Sequence, residues 1–281
     1  MLDFLPDKIK SLVLGQFKYI CELRLRVGLP MTVTGSNGTG IERRRVELEF
    51  TQKDAENIVL KLSNFSIFSV EESLKLGFIT SNDGERVGVC GDIVNSPNGV
   101  LTVKNFSSLC VRFPRNVNGC AKDYISRLSE PKSCLVVSPP FHGKTTFIRD
   151  LARAYSDKFN QNVLFLDERD ELSAGGSFYL GKNVDLLRYA SKDFGFKNGV
   201  RAYNPDVIVC DEIMSCLDAK GVKFALDSGV KVVATAHGFN MENILKKQEI
   251  SMILQNSSFQ DVIFLQDFKI KKIYGDGEWL K

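Results

Sequence analysis

Net charge is the first thing this sequence has little of: 37 Lys and Arg stand against 34 Asp and Glu, leaving +3 at pH 7. A near cancellation gives no whole-molecule pull toward nucleic acid or anionic lipid, so any such attraction has to be local. The local basic groups are Arg43-Arg44-Arg45 with Arg24 and Arg26, which read either as a solvated face or as a path for phosphates. Histidine is scarce, with two in 281 residues. The seven cysteines are scattered and never spaced as Cys-x-x-Cys, a pattern that argues against a disulfide framework or a zinc site and fits a reducing cytoplasm. No apolar run approaches the roughly 18 residues of a membrane-spanning helix. Asp3, Asp7 and Lys8 interrupt the apolar N-terminal residues, so the chain is expected neither to be exported nor to cross a membrane unaided. Repeats and low-complexity segments are missing as well.

What is present is the balance of a folded protein, 43% hydrophobic and 25% charged. Single cores stop growing at about 250 to 300 residues, so two domains are the starting expectation. The first, residues 1–118, alternates like strands at Leu23, Leu25 and Val27, at Val46, Leu48 and Phe50, at Val87 and Val89, and from Val100 to Val111. Thr51-x-x-Asp54 and Ser69-x-x-Glu72 resemble helix-starting capping boxes, and Asp83-Gly84 and Pro97-Asn98-Gly99 mark turns. This half is expected to be α+β. In the second, residues 119–281, short apolar strands alternate with helical stretches: Cys134 to Val137, Val163 to Leu166, Val207 to Cys210 and Val230 to Ala236. That rhythm predicts an α/β fold with a parallel sheet. Ile148, Leu151, Ala152 and Tyr155 give the helix after the first strand one inward face. Two last strands are expected around Gln266-Asp267.

The first of these strands runs into Ser138-Pro139-Pro140-Phe141-His142-Gly143-Lys144-Thr145-Thr146. This matches GxxxxGK[ST] except that Ser138 stands for the first Gly, and strand, loop and helix are the context the motif requires. In such a loop backbone N–H groups converge on phosphate oxygens, Lys144 binds the β- and γ-phosphates, and Thr145 holds Mg²⁺. Ser138 replaces a residue valued for backbone angles closed to side chains, so a cost of about 1–2 kcal/mol is expected there. His142 either adds a donor or faces solvent.

Strand Val207 to Cys210 delivers Asp211-Glu212 to the carboxyl edge of the sheet, where open α/β folds bind ligands. In this Walker B arrangement Asp211 would bind Mg²⁺ and Glu212 would orient or deprotonate the attacking water. Strand Val163 to Leu166 ends in Asp167-Glu168-Arg169-Asp170-Glu171, which reads as a second catalytic carboxylate at Glu168 or as a solvated face. His237, at the end of another strand, is a γ-phosphate sensor or a structural histidine.

Together Ser138 to Thr146, Asp167-Glu168-Arg169, Asn204-Pro205-Asp206-Val207-Ile208-Val209-Cys210-Asp211-Glu212 and Thr235-Ala236-His237-Gly238 resemble the stage III sporulation protein AA family, within the wider group of secretion and type IV pilus ATPases. Leu23-Arg24-Leu25-Arg26, Gly77-Phe78-Ile79-Thr80 and Arg86-Val87-Gly88-Val89-Cys90-Gly91 extend the likeness over nearly the whole chain. The resemblance implies a RecA-like P-loop NTPase domain behind a smaller N-terminal α+β domain. It also implies ATP with Mg²⁺ as cofactors, a ring-shaped homo-oligomer, expected to be a hexamer, and membrane proteins of a sporulation channel as partners. It places the chain in the cytoplasm, reaching a membrane through those partners. On this chain the group's acidic box would be Glu168 with Glu171 and its His box His237. Which of Glu168 and Glu212 activates water stays open. Departures from the pattern are Ser138 and Phe141 for loop glycines, Met214 for the Gly after Asp-Glu-Ile, and Asn183 where an Arg is expected. Arg24, Arg26 and Arg86 are candidates to reach a neighbouring subunit, or to pair locally. The rival readings are a nucleic-acid motor and a non-hydrolysing ATP-binding scaffold.

Overall fold

The alternating first half closes into an antiparallel sheet and the second half into a parallel one. The computed structural model describes residues 2–37, 40–66, 70–96, 99–114, 116–140, 142–255, 259–275 and 277–278. Among the sequence expectations, Phe141, Ser69 and the Pro97-Asn98 turn lie outside these. The chain divides into two compact units, one of Met1–Arg115 with Ala174–Ser177, the other of Asn116–Ser173 with Phe178–Lys281.

In the first unit the order is α1 (Asp7–Leu14), β1 (Tyr19–Arg26), β2 (Leu29–Ser36), β3 (Glu42–Val46), α2 (Gln52–Leu62), α3 (Glu71–Lys75), β4 (Phe78–Thr80), β5 (Arg86–Ser96) and β6 (Gly99–Arg112). The strands pair in the order β3-β2-β1-β6-β5-β4, every pair antiparallel. Period-two alternation puts Leu23, Leu25, Val87, Val89, Leu109 and Val111 in one core with Ala55, Ile58 and Val59 of α2. The Thr51 box forms: its side chain accepts the Asp54 N–H while Asp54 takes the Thr51 N–H. Leu48 and Phe50 are buried as the alternation expects, but they lie beyond β3. The Phe50 carbonyl takes the Gly28 N–H, so this segment is tied to the β1–β2 turn.

The second unit runs α4 (Lys122–Ile125), β7 (Cys134–Ser138), α5 (Lys144–Phe159), β8 (Val163–Asp167), β9 (Val184–Arg188), α6 (Lys192–Tyr203), β10 (Val207–Cys210), α7 (Cys216–Asp227), β11 (Lys231–His237), α8 (Met241–Leu245), α9 (Gln248–Gln255), β12 (Asp261–Gln266) and β13 (Lys269–Gly275). Its strands lie in the order β13-β12-β7-β11-β10-β8-β9, parallel except for the β12–β13 hairpin. Both faces are covered, which is why the central strands read as continuous apolar runs. Leu135, Val137, Ile208 and Val232 face a core shared with α7 and α9. Cys134, Val136, Phe165 and Val209 face one shared with α5, whose Ile148, Leu151, Ala152 and Tyr155 are fully buried. β7, β8, β10 and β11 all end at one edge, and the chemistry-bearing residues follow them there.

Candidate active site

Ser138 is the last residue of β7 and pairs with His237 of β11. It is 1% exposed and is not among the residues with positive φ, so the expected left-handed cost is absent: the position is strand, not turn. Its hydroxyl donates to the Pro139 carbonyl at 2.8 Å. Among the described residues of the loop the left-handed one is Gly143, at φ 90°, which opens α5. The glycine the motif keeps is the one whose backbone requires it.

From the first turn of α5, Lys144 reaches back over the loop. Its Nζ donates to the carbonyls of Ser138 at 3.1 Å and Pro139 at 3.2 Å and lies 2.9 Å from His237 Nδ1. Burial lowers the pKa of this ammonium, and the charges of Asp211 and Glu212 work the other way. An ammonium has no lone pair, so His237 Nδ1 accepts. Its Nε2, 3.2 Å from Glu212 Oε1, then carries the proton of a neutral ring.

The next residue, Thr145, donates its hydroxyl to Asp211 Oδ2 at 3.1 Å. Asp211 Oδ1 takes the Thr235 hydroxyl at 2.8 Å and the Glu212 N–H at 3.0 Å. Thr235 is buried on β11, two residues before His237, and the sequence, which shows it only as part of the Thr235-Ala236-His237-Gly238 stretch, gives it no role of its own. Its signal was the alternation that sends residues 235 and 237 to the same face. Lys144, Thr145, Thr146, Asp211, Glu212 and His237 line one cavity of about 470 Å³, with Arg169, Glu171 and Phe268.

The charged run at the end of β8 is not simply a solvated face, since Asp167 and Asp170 are buried. Asp167 is 2% exposed and accepts the backbone N–H groups of Glu171, Leu172 and Ser173 at 2.8, 3.1 and 2.8 Å. It folds the loop around itself. From α5, Arg149 clamps the same loop, donating Nε to the Leu172 carbonyl at 2.7 Å and Nη2 to the Glu171 carbonyl at 2.9 Å. Burial drops the Arg149 pKa to about 10 despite the nearby Asp167 and Asp211 charges. The loop thus presents Arg169 and Glu171 to the large cavity. Glu168 instead takes a 2.7 Å hydrogen bond from the buried Lys192 and lines a cavity of about 30 Å³ beside Asp211 and Glu212. Arg149 and Lys192 carry no motif signal, being lone basic residues on helices.

His142 Nδ1 accepts the Asp267 N–H at 3.0 Å, tying the loop to the β12–β13 turn. Met214 lies 3.6 Å from Arg169 through its sulfur, and Asn183 bonds Asn160 at 3.0 Å. In the first unit Arg24 pairs with Glu22 at 2.6 Å, Arg44 with Glu42 at 3.3 Å and Arg45 with Glu47 at 3.7 Å, and Arg86 stacks over Phe78. Arg24, Arg44, Arg45 and Arg86 thus have local partners. Among the described residues, no helix is long and apolar enough to cross a membrane.

Comparison with known proteins gives the family and the fold. The family profile described as "Sporulation stage III, protein AA" matches residues 5–276. Stage III sporulation protein AA of Bacillus subtilis is 29% identical over 285 aligned residues, 95% of this chain and 90% of that protein. Among solved structures, the pilus retraction motor PilT with bound ADP superposes with a TM-score of 0.60 at 16% identity, covering 94% of this chain and 78% of PilT. The ATPase DotB of Yersinia pseudotuberculosis gives 0.58 at 12%, covering 92% and 73%. The fold is that of these secretion and pilus ATPases, with a RecA-like P-loop domain.

Proposed function

The chain belongs to the sporulation stage III protein AA family, and from that premise we propose that it is an ATP-hydrolysing motor of endospore formation. The observation that carries the reading is the convergence of Lys144, the Thr145–Asp211 pair and the Glu212–His237 pair at one sheet edge. Residues 119–281 form the ATPase domain. Residues 138–146 cradle the phosphates, with the N–H groups at the start of α5 and the Lys144 ammonium facing them.

A hydroxyl and a carboxylate oxygen 3.1 Å apart suit Mg²⁺, which prefers few protein ligands and completes its shell with water and phosphate oxygens. Thr145 and Asp211 would hold it. Bound there, it neutralises charge on the transferring phosphoryl group. Asp211 is kept in place by Thr235 and by the Glu212 N–H. Glu212 takes a proton from the attacking water, and His237, held between Glu212 and Lys144, turns with whichever partner the γ-phosphate engages. Lys144 exchanges its loop carbonyls for phosphate. Glu168, committed to Lys192, positions rather than reacts, and Glu171 and Arg169 are the acidic-loop side chains nearest the phosphates.

The motor acts as a ring-shaped homo-oligomer, a hexamer, and passes its motion to membrane proteins of a channel between mother cell and forespore. The name of the family and the motor and ATPase relatives support this. Calorimetric titration with Mg·ATP, phosphate-release kinetics and sedimentation with and without nucleotide test it. Binding, turnover and growth of the assembly with ATP are expected. No heat of binding refutes the nucleotide site, and a monomer at every ATP concentration refutes the ring.

A further inference from the structure

The tip of the β12–β13 hairpin is built against local preference. Gln266 and Lys269 are paired across it, which leaves Asp267 and Phe268 as a two-residue turn, and both have positive φ, 50° and 63°. Such turns favour Asn-Gly because the left-handed region is costly for a bulky side chain. The strain is held by the His142 ring, which accepts the Asp267 N–H at 3.0 Å. Phe268 also gains nothing from burial, being 70% exposed. Its ring lies against the loop so closely that a Cβ added to Gly143 would sit 2.8 Å from it, and it lines the cavity that holds Lys144 and Thr145. A strained backbone displaying an exposed aromatic ring at a site is a reason to ask what the ring meets.

Sheet order supplies the answer. β7, which carries the loop, has β11 on one side and β12 on the other. Glu212 and His237 stand on the β10–β11 side, so a nucleotide with its terminal phosphate toward them directs its sugar and base the opposite way, over the β12–β13 tip. We propose that Phe268 is the platform on which the nucleobase of a bound nucleoside triphosphate stacks. This rests on the nucleotide reading given above and adds the base subsite to it. Stacking uses a π-face that every base has, so the platform favours nucleotides over bare polyphosphate without choosing strictly among bases.

The test is calorimetry of wild type, Phe268→Gly, Phe268→Leu and Phe268→Tyr with Mg·ATP and with inorganic tripolyphosphate, plus thermal melts without ligand. Glycine relieves the turn, so Phe268→Gly should melt higher than wild type while binding Mg·ATP at least about five-fold more weakly. Phe268→Leu should lose a similar factor, Phe268→Tyr should stay within about two-fold, and tripolyphosphate should bind all four proteins alike. Stability and affinity moving in opposite directions separates a lost contact from a damaged fold. Unchanged Mg·ATP affinity in the Gly and Leu variants overturns the platform, as does an equal loss for tripolyphosphate. If wild type binds neither ligand, the nucleotide site itself fails and takes the platform with it.

Discussion

Replacing Glu212 by Gln is expected to silence turnover while sparing nucleotide binding, and replacing Glu168 by Gln is expected to leave both turnover and binding nearly intact. A positioned general base contributes roughly 10²- to 10⁴-fold, so Glu212→Gln should slow phosphate release by about that factor, equivalent to ~2.7–5.4 kcal/mol at 1.36 kcal/mol per decade. The amide oxygen of Gln still accepts the His237 Nε2–H, now 3.2 Å from Glu212, so the cavity wall should persist and affinity should change by less than about two-fold. Glu168 faces another task. Its carboxylate is bonded to Lys192 at 2.7 Å, with the lysine side chain 7% and the glutamate 38% exposed. Neutralising it leaves a largely buried ammonium with a weaker partner, a loss of about 1–2 kcal/mol in stability for a half-solvated pair, with turnover within a few-fold of wild type. Phosphate release at saturating Mg·ATP, calorimetric affinity and urea unfolding, measured on both variants, separate the two roles. The reasoning is refuted if Glu168→Gln loses turnover at unchanged affinity while Glu212→Gln keeps it.

Asp167→Asn removes the charge from a buried carboxylate that accepts three backbone N–H groups; hydrogen bonds to a charged acceptor contribute roughly 1.5–3 kcal/mol each, so a loss of about 3 kcal/mol is expected in urea unfolding, and a loss under about 0.5 kcal/mol would return the loop to a solvated face. Ser138→Gly should not tighten ATP binding, because the position is strand rather than left-handed turn, and should cost about 0.5–1 kcal/mol of stability; calorimetry showing a several-fold gain in affinity would contradict this. At Lys192 burial opposes the charge, but the Glu168 hydrogen bond and the neighbouring Cys210 and Asp218 leave its pKa raised. The folded state holds this proton more tightly than the unfolded one, so the contribution is complete below the unfolded lysine value near 10.4 and fades as pH rises through the folded one. Lys192→Met should therefore flatten the decline in stability above about pH 10, and an unaltered alkaline limb in denaturation curves would remove the assignment.

Strands that carry long apolar runs, and the residues that follow them, were legible because covalent order alone places Asp211, Glu212 and His237 at strand ends and Lys144 and Thr145 at the start of the helix after β7. Burial on both faces made β7, β8, β10 and β11 plain, whereas β9, an edge strand of half-exposed residues, left no comparable pattern. The run Asp167 to Glu171 shows where composition stops: of five charged residues in sequence, Asp167 folds the loop, Glu168 pairs with Lys192, Arg169 and Glu171 face the cavity, and buried Asp170 accepts the Ser173 and Tyr189 hydroxyls. Only three-dimensional neighbours distinguish them. Arg149 and Lys192 were invisible for the same reason, since their partners come from elements far along the chain. Ser138 misled in the opposite direction, because a motif position was taken to imply a backbone conformation that β7 does not adopt.

Strand order also bears on how the protein comes into being. β7 is made first among the strands of its sheet, but its two neighbours are β11 and β12, which are synthesised roughly a hundred residues later, as the gap of 99 between the bonded Ser133 and Val232 indicates. Non-local pairing of this kind folds slowly, and a chain emerging from the ribosome holds its apolar β7 without a partner in the meantime. The first unit is less dependent, yet it too takes Ala174–Ser177 from well downstream. A growing chain therefore displays the loop between β7 and α5 long before Asp211 and His237 join it at the sheet edge, and a translation product that stops before β11 is a candidate for chaperones and proteases.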